Sequence, residues 1–343
     1  MTTTELARII GVSRITLSKV INKKGGVSAE TEARIQEYIK KYNFEPNSQA
    51  RSLVGKKEQI IGFFTTYSND SSESSHVTSH LATELTNLVI NAAQKRGYKT
   101  LVAITQPNEN LDEIEKLLNS GLLRGAILFG YETGNKKIEK ISSKGIPLVL
   151  INQEEKIKTD NISIVNMNDE QWAFYAIEKL VQLNHKKILY LGCSRKRLPA
   201  LRRKNGVSKA YKVYHDKIEL FMERNADFNE DLAYSIVKDI FTNEKELPTG
   251  IFAANDLMAI GAINALKDLG VQVPRDVSVI GFDDISISKY LSPALTTIRC
   301  NFNEIAQKSV NTLIDSIEGI EVTVHQELEL EFIERESLTI AKQ

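Results

Sequence analysis

The apolar residues at the N-terminal end of the chain are spaced for three short amphipathic helices. Thr2 and Glu5 form a capping box that begins the first helix, because each side chain can reach the other residue's backbone N–H. Gly11 ends that helix, since glycine adopts positive φ at little cost. Ser28 is a natural N-cap for the third helix. The pattern predicts a small all-α domain over residues 1–46.

The second helix of this domain, about residues 14–22, begins after the N-cap residue Ser13 and follows the first helix across a short turn that contains Gly11. Two helices joined in this way are the helix-turn-helix arrangement, although any small helical bundle contains such a pair. The predicted outer face of the second helix carries polar, basic and apolar side chains that could meet DNA: Arg14, Ile15, Ser18 and Lys19.

Charge favours the same interpretation. The whole chain has 44 Lys and Arg against 44 Asp and Glu, but residues 1–57 hold 11 Lys and Arg against 5 Glu, a net charge of +6. A basic N-terminal part on an acidic body predicts an anionic partner, and nucleic acid is the usual one. A solvated surface of lysine and glutamate is the alternative.

A short linker follows this domain. Pro46 ends the third helix, and Asn47 can cap a segment of about eight residues before Gly55. Such a segment is too short to be a stable helix in water. We therefore expect residues 47–57 to be a hinge that becomes helical only against a partner, with a flexible linker as the alternative.

The rest of the chain, 58–343, alternates short apolar runs with amphipathic helices, which predicts an α/β core of mostly parallel sheets covered by helices. Its length favours two lobes with a cleft. The predicted strands are Ile60–Thr65, Thr100–Thr105, Gly125–Phe129, Pro147–Ile151, Ser163–Asn166, Lys187–Leu191, Gly250–Ala254 and Val277–Gly281. The predicted helices lie near 81–96, 110–119, 135–144, 168–184, 206–224, 230–242, 256–269 and 303–317.

The sequence contains only weak motifs for an enzyme active site or a metal site. No phosphate-binding glycine loop occurs, and His76 and His80 lack the cysteines or carboxylates of a metal site. The pair Asp283–Asp284 follows a strand and fits a catalytic site or a simple turn. We expect no cofactor, no metal and no enzymatic activity.

Targeting features indicate the cytoplasm. The chain has no apolar run long enough to cross a membrane and no basic-then-apolar start typical of a secretory signal. Its two cysteines, Cys193 and Cys300, cannot build a disulfide framework, which fits a reducing compartment. We expect a cytoplasmic protein with no membrane partner.

The N-terminal part contains the sequence blocks Thr2-x-x-Glu5-Leu-Ala7, Gly11-Val-Ser13, Thr16-Leu-Ser-Lys-Val-Ile-Asn22, Val27-Ser28 and Pro46-Asn47-x-x-Ala50-Arg-Ser-Leu53. The body contains the blocks Pro147-Leu-Val-Leu-Ile-Asn152, Leu183-Asn-His-Lys-Lys-Ile188, Ile251-Phe-Ala-Ala-Asn-Asp256-Leu-Met-Ala-Ile-Gly261, Val273-Pro-x-Asp-Val-Ser-Val-Ile-Gly-Phe-Asp-Asp284 and Leu295-Thr-Thr-Ile298. Together these blocks, which lie along the whole chain, resemble the lac/galactose repressor family.

The resemblance implies a helix-turn-helix head (1–46), a hinge helix (47–57) and a two-lobed core like periplasmic binding proteins (58–343). The first lobe is expected at about 58–160 plus 294–318, and the second at about 161–293 plus 319–343. It also implies a homodimer on a pseudo-palindromic double-stranded DNA operator.

The resemblance assigns DNA contacts to the head and hinge. Base reading falls on Arg14, Ile15 and Lys19, although Lys19 stands where the family usually has arginine. Leu53 falls where the family inserts a leucine into the minor groove. The remaining contact or support positions are Thr2, Ser13, Thr16, Ser18, Asn22, Asn47 and Ala50.

The resemblance also implies an effector site for a small carbohydrate at Thr66, Asn152, Arg203, Phe228 and Asp256. Arginine and aspartate suit vicinal hydroxyls, and an aromatic ring covers an apolar sugar face. The loop 67–80 is longer than usual, and Asn152 stands where aspartate is frequent. The resulting hypothesis is a repressor of a carbohydrate-utilisation operon whose operator affinity is switched by a sugar-like effector. The alternative is a sugar receptor or carbohydrate-acting enzyme on the same core.

Overall fold

The structure, a computed structural model, describes residues 2–21, 25–42, 44, 58–66, 80–105, 111–131, 138, 141, 145–154, 161–193 and 197–342. The chain divides into two compact units, Met1–Gln59 and Ile60–Gln343. We call the first unit the head and the second unit the core, and each is described separately.

The described part of the head contains three helices, as predicted. The Thr2 hydroxyl accepts from the Glu5 N–H at 3.2 Å, and the Glu5 carboxylate accepts from the Thr2 N–H at 2.7 Å, which confirms the capping box. Gly11 ends the first helix with a φ of 77°, as expected for a left-handed C-cap. The helices are α1 (Thr3–Ile10), α2 (Arg14–Ile21) and α3 (Ala29–Lys41).

One apolar cluster holds the three helices of the head together. Leu6, Leu17 and Ile35, one from each helix, are fully buried, and Phe44 closes the cluster. Ile9 of α1 points away from this cluster, with an exposed fraction of 46 %. This packing fixes which face of α2 turns outward.

The described part of the core contains two sheets with helices between their strands. The helices are α4 (His80–Lys95), α5 (Asp112–Asn119), α6 (Asp169–Gln182), α7 (Leu198–Tyr214), α8 (Glu230–Asn243), α9 (Asp256–Asp268) and α10 (Phe302–Glu318), with a 3₁₀ turn at Ser288–Tyr290.

The first sheet is fully parallel. Its strands are almost entirely apolar in the centre, as two-sided burial requires. Its strands are β1 (Ile60–Thr66), β2 (Lys99–Thr105), β3 (Ala126–Phe129), β4 (Leu148–Ile151), β5 (Ile162–Met167) and β11 (His325–Leu328), in the order β11-β5-β4-β3-β1-β2.

The second sheet is parallel except for its last edge strand, β12, which pairs antiparallel with β10. Its strands are β6 (Lys187–Gly192), β7 (Leu220–Asn225), β8 (Gly250–Ala253), β9 (Ser278–Asp283), β10 (Thr296–Arg299) and β12 (Glu331–Ile333), in the order β12-β10-β9-β8-β6-β7.

The two sheets define two lobes, and the chain crosses between them three times. The crossings lie between β5 and α6, between β10 and α10, and between β11 and β12. The expected lobe boundaries differ from the sheets at three strands, because β5 and β11 belong to the first lobe and β10 belongs to the second. The lobe to which a strand belongs depends on the strands it pairs with, and β5 and β11 pair although more than 150 residues separate them. The order of strands along the chain alone does not reveal such pairing.

The predicted helix at 206–224 was right only over residues 206–214. The helix α7 occupies Leu198–Tyr214, and after a turn the residues Leu220–Asn225 form the edge strand β7. Gly206 lies where α7 crosses α6, and a Cβ there would sit 2.1 Å from the Glu170 carbonyl oxygen. This close approach holds the start of α7, including Arg203, against the start of α6.

Several predictions fall outside the described residues: the hinge at 47–57, the loop at 67–79, and most of the helix at 135–144. None of the helices that the structure describes has the length and apolar character needed to cross a membrane.

Candidate functional site

The helix α2 is built to present one face. The Ser13 hydroxyl accepts from the Thr16 N–H at 3.0 Å, so Ser13 caps α2 as predicted. The Thr16 hydroxyl lies 2.8 Å from the Ser13 hydroxyl. Leu17 and Val20 are buried in the head. Ile21 packs against the same cluster, so the exposed side chains of α2 lie on the opposite face of the helix.

The outward face of α2 carries the three residues assigned to base reading. Arg14, Ile15 and Lys19 are exposed, and the exposed fraction of Ile15 is 71 %. An isoleucine this exposed gains nothing from the core of the head, so its position fits contact with a partner. Thr16 and Ser18 are half-buried beside this face. These DNA contacts stay predictions.

The other residues assigned to DNA contact divide into two groups. Thr2 is exposed, and its hydroxyl serves the capping box of α1. The rest lie outside the described residues: Asn22, Asn47, Ala50 and Leu53.

A cavity of about 130 Å³ lies between the two lobes of the core, and Met167, Cys300 and Phe302 place it beside two of the three chain crossings. A cavity of about this size in other proteins holds one benzene ring. Both lobes contribute to its lining: Thr65, Thr66, Leu81, Phe129, Gly130, Tyr131, Asn152, Met167 and Phe302 from the first lobe, and Arg197, Pro199, Arg203, Phe228, Asn255, Leu257, Asp283, Ile285 and Cys300 from the second lobe or its borders.

The structure brings four of the five predicted effector residues to this cavity. Thr66 and Asn152 lie at the carboxyl ends of β1 and β4, where parallel sheets usually bind ligands. Arg203 comes from α7, and Phe228 from the turn after β7.

Asp256 does not line the cavity. Its side chain is fully buried, and its carboxylate accepts from the Ile285 N–H (2.9 Å), the Ser288 hydroxyl (2.6 Å) and the Thr297 hydroxyl (2.5 Å). These three donors tie α9 to the segment after β9 and to β10. Arg203 and Asp256 therefore do not face each other across the cleft, because both belong to the second lobe and Asp256 points into its interior, so the implied effector role of Asp256 is wrong.

Arg203 is the centre of a buried polar network. Its exposed fraction is 3 %, and its guanidinium donates to Asp169 at 2.7 Å, to Asp283 at 3.1 Å and to the carbonyl oxygen of Ala254. The guanidinium carbon also lies 3.6 Å from the centroid of the Phe282 ring, in a cation–π contact. The network joins the first turn of α6 to the ends of β8 and β9.

Two cavity residues that the sequence assignment missed are Asn255 and Asp283. Asn255 accepts from the Met258 N–H at 2.9 Å and so caps α9, while its side chain also borders the cavity. Asp283 is 5 % exposed and bonds to Arg203. The sequence does contain a signal for Asp283, because the Asp283–Asp284 pair follows a predicted strand.

Three residues that line the cavity have the positive φ that favours glycine. The φ values are 58° at Asn152, 63° at Phe228 and 109° at Asp283. A bulky residue such as phenylalanine rarely adopts this conformation, and such strain is concentrated at binding sites. The strain supports the assignment of this cavity as the ligand site.

Burial sets the protonation of the carboxylates around Arg203. Burial, together with the charge of Asp283, raises the pKa of Asp256 to about 7. Burial also raises the pKa of Asp283 to about 6, although the charge of Arg203 opposes this shift. Burial alone would lower the pKa of Arg203, but the charges of Asp169 and Asp283 outweigh it and raise that pKa. The cavity therefore presents a charged arginine and, at Asp283, a carboxyl group whose pKa is raised to about 6.

The described residues hold no cluster of three or more His, Cys, Asp or Glu side chains arranged for a metal ion. The side chains of His76 and His80 lie outside the described residues.

Comparison with known proteins identifies the family. Residues 2–47 match the model of bacterial regulatory proteins of the lacI family, and residues 177–338 match the periplasmic binding protein-like domain. The transcriptional repressor PurR of Histophilus somni (strain 129Pt) is 30 % identical over 318 residues, which cover 91 % of each chain. The chain belongs to the lacI family of bacterial regulatory proteins.

Further lacI-family relatives and a solved structure agree over nearly the full length. The probable transcriptional repressor ExuR of Bacillus subtilis (strain 168) is 28 % identical over 340 residues, 98 % of each chain. The crystal structure of the lac repressor dimer bound to operator and the anti-inducer ONPF superimposes with a TM-score of 0.84 at 25 % identity, covering 99 % of each chain. The predicted family, fold and DNA-binding regulatory function are confirmed, and the named relatives are transcriptional repressors.

Proposed function

We propose that this lacI-family protein is a transcriptional repressor that binds its operator through α2 and changes its operator affinity when a small sugar-like ligand enters the cavity of the core. One observation carries the proposal: a single chain combines a capped helix with an exposed reading face and a strained cavity lined by residues of two lobes.

The chemistry of the cavity supports a ring-shaped ligand with hydroxyl groups. Arg203, Asp283 and Asn255 bring donors and acceptors to the second-lobe wall, and Asn152 brings both to the first-lobe wall. Phe228 supplies an aromatic face, which packs well on the apolar side of a sugar ring. The volume of about 130 Å³ suits a single ring.

The position of the cavity supports a switch. A ligand shifts a conformational equilibrium only through its different affinities for the two states. A ligand that contacts residues of both lobes has this property, because a change in the lobe arrangement changes its contacts.

The relatives support the remaining parts of the proposal. The lac repressor in the similar structure is a dimer on operator DNA. We infer a homodimer on a pseudo-palindromic operator, acting in the cytoplasm. Within that complex the residues 47–57 are proposed to form the hinge, with Leu53 in the minor groove.

The DNA-reading assignment predicts a loss of base preference. The operator is first selected from random duplex DNA with the full chain. Arg14→Ala or Lys19→Ala is then expected to weaken operator binding by about 1–3 kcal/mol and to relax preference at one base pair, because each removes a base contact. The matched control is Lys40→Ala, which removes an exposed lysine in the last turn of α3. Equal weakening on operator and on random DNA would show that Arg14 and Lys19 contact phosphates instead.

The switch is tested by thermal-shift screening of monosaccharides and disaccharides, followed by gel shifts on the selected operator with each compound that binds. Asn152→Gly removes one cavity side chain and keeps a residue that tolerates the φ of 58°. The proposal expects this variant to lose ligand response. A ligand that binds the cavity without changing operator affinity would refute the switch.

A further inference from the structure

One arginine of α7 bridges the two lobes of the core. The Nη1 of Arg202 donates to the Met167 carbonyl oxygen at 3.0 Å and to the Glu327 carboxylate at 2.6 Å. Arg202 lies in the second lobe, whereas Met167 ends β5 and Glu327 lies on β11, both in the first sheet. Both acceptors that the structure describes for this guanidinium therefore belong to the opposite lobe.

The other ion pairs that the structure describes for α7 stay within the second lobe. Lys204 pairs with Glu223 on β7 at 2.7 Å, and Lys209 pairs with Glu170 on α6. Arg203 pairs with two carboxylates of the second lobe. A pair within one lobe is kept in any arrangement of the lobes, whereas the bonds of Arg202 depend on how the two lobes lie relative to one another.

The bonds of Arg202 lie at two of the three chain crossings. The strands β5 and β11 are neighbours in the first sheet, and their register places Leu328 opposite Met167. The Asn168 N–H donates to the Leu328 carbonyl oxygen at 3.2 Å, so the segments that leave these two strands for the second lobe run side by side. Arg202 therefore bonds to the first lobe where both segments leave it.

The same bonds adjoin the ligand cavity. Met167 lines the cavity, and so does Arg203, the residue after Arg202. The side chains of Arg202 and Glu327 are 21 % and 53 % exposed, so water screens their ion pair and the pair contributes little to the stability of the fold. A small free energy nevertheless shifts an equilibrium between two lobe arrangements, because about 1.4 kcal/mol is a tenfold change.

We propose that Arg202 is a positioning residue of the switch: its bonds to Met167 and Glu327 stabilise the lobe arrangement of this structure, and their loss favours a different arrangement. The inference rests on the proposed function, because it names residues that regulate the equilibrium on which a cavity ligand acts. A ligand that displaces Met167 or Arg203 changes the geometry of these bonds. Ligand and bridge therefore act on the same equilibrium.

The lobe arrangement is measured by the distance between two spin labels on the full chain, one in each lobe. Asn119→Cys at the end of α5 and Asp239→Cys on α8 provide exposed labelling sites, whereas both native cysteines are buried. Excess unlabelled chain ensures that labelled subunits pair with unlabelled ones. Pulsed EPR without ligand or DNA is expected to show a shifted or broader distance distribution for Arg202→Met and for Glu327→Gln, because each variant loses the same bridge.

Operator affinity gives a second measurement, on the operator selected with the full chain. Arg202→Met and Glu327→Gln are both expected to change it about threefold or more in the same direction, because both lower the population of the same lobe arrangement. Charge alone would act in opposite directions, since loss of a cation weakens DNA binding and loss of an anion strengthens it. In a chain that carries Arg202→Met, Glu327→Gln is expected to have no further effect, because its partner is gone.

The pair formed by Lys204 and Glu223 provides the matched control. It begins on the same helix, its N–O distance of 2.7 Å compares with 2.6 Å for the bridge, and it joins two elements of one lobe. Lys204→Met and Glu223→Gln are expected to leave both the label distance and the operator affinity unchanged.

An unchanged label distance in Arg202→Met or Glu327→Gln would overturn the inference, and so would an equal change in the control variants. Opposite or additive effects of the two substitutions on operator affinity would also overturn it, because they would show that the residues do not act through a shared contact. If the label distance shifts while operator affinity stays the same, the inference stands and the proposed switch fails. A chain that selects no operator would refute the proposed function, and the label distance would still decide the inference.

Discussion

Replacing Arg203 with alanine is expected to lower the free energy of unfolding of the core by about 3–5 kcal/mol. The substitution leaves the carboxylates of Asp169 and Asp283 buried without their cation, and it leaves the Ala254 carbonyl oxygen without its donor. Breaking a buried ion pair from one side costs more than the pair itself contributes, because an uncompensated charge remains in the interior. The loss is a large part of the stability of an ordinary domain.

Urea unfolding followed by tryptophan fluorescence measures this effect in the core alone, because Trp172 on α6 is the only tryptophan of the chain. Lys204→Ala, which removes an exposed ion pair one residue away, is the control and is expected to change the free energy of unfolding by less than about 1 kcal/mol. If Arg203→Ala lowers the free energy of unfolding as little as this control does, Arg203 does not hold the network together. Asp256→Ala is likewise expected to lower the free energy of unfolding, because it leaves the Ile285 N–H and the Ser288 and Thr297 hydroxyls without their acceptor.

We also expect the free energy of unfolding of the core to decrease as the pH rises from about 5 to about 8. The pKa of Asp256 is raised to about 7 and that of Asp283 to about 6, both above the ordinary value of 3.8. Between the ordinary and the raised pKa values the folded protein holds protons that the unfolded chain releases. The folded state therefore gains stability from acidification, and it loses this stability as the pH rises through the raised pKa values. The total change is on the order of a few kcal/mol, at 1.36 kcal/mol for each pKa unit.

The contribution of His185 to stability changes with pH in the opposite direction. His185 is buried between Thr249 and the Thr339 carbonyl oxygen, and burial lowers its pKa, so its contribution to stability is lost on acidification. Asp256→Asn isolates the carboxyl contribution, because an amide of the same shape can still accept from Ser288 and can donate to Thr297. Urea unfolding across this pH range is expected to show a smaller slope for Asp256→Asn, while Asp239→Asn, at an exposed position on α8, keeps the slope of the parent. A core whose stability rises from about pH 6 to about pH 8 would contradict the prediction.

The sequence predicted best the features that depend on neighbours in the chain. The capping box at Thr2 and Glu5, the N-cap at Ser13 and the left-handed Gly11 all involve residues within four positions of one another. The eight predicted strands also occur, since each has a short apolar stretch that is visible in the local sequence. The strands β7, β10, β11 and β12 escaped prediction because they are short or border strands with mixed polar residues, and partners distant in the chain select them.

The ligand site includes features that local sequence patterns did not predict. Four of the five assigned residues line the cavity, whereas Asp256 was displaced by one position from Asn255. Asn255 is the extended N-cap residue of α9 and Asp256 is the first residue of the helix, so the two neighbouring side chains point in different directions, one to the cavity and one into the interior. The pairing of Arg203 with Asp169 and Asp283 joins three elements that lie 34 to 80 residues apart, and no local pattern encodes it.

The three crossings between the lobes have a consequence for how the protein is made on the ribosome. Neither lobe corresponds to one continuous stretch of chain. The first sheet is complete only when β11 pairs with β5, and the second only when β12 pairs with β10. Emerging sheets therefore expose unpaired edges until the C-terminal strands leave the exit tunnel, whereas the residues of the head emerge first. A truncated message that ends after β10 would yield a chain with both sheets incomplete, a substrate for chaperones and proteases rather than a repressor lacking one lobe.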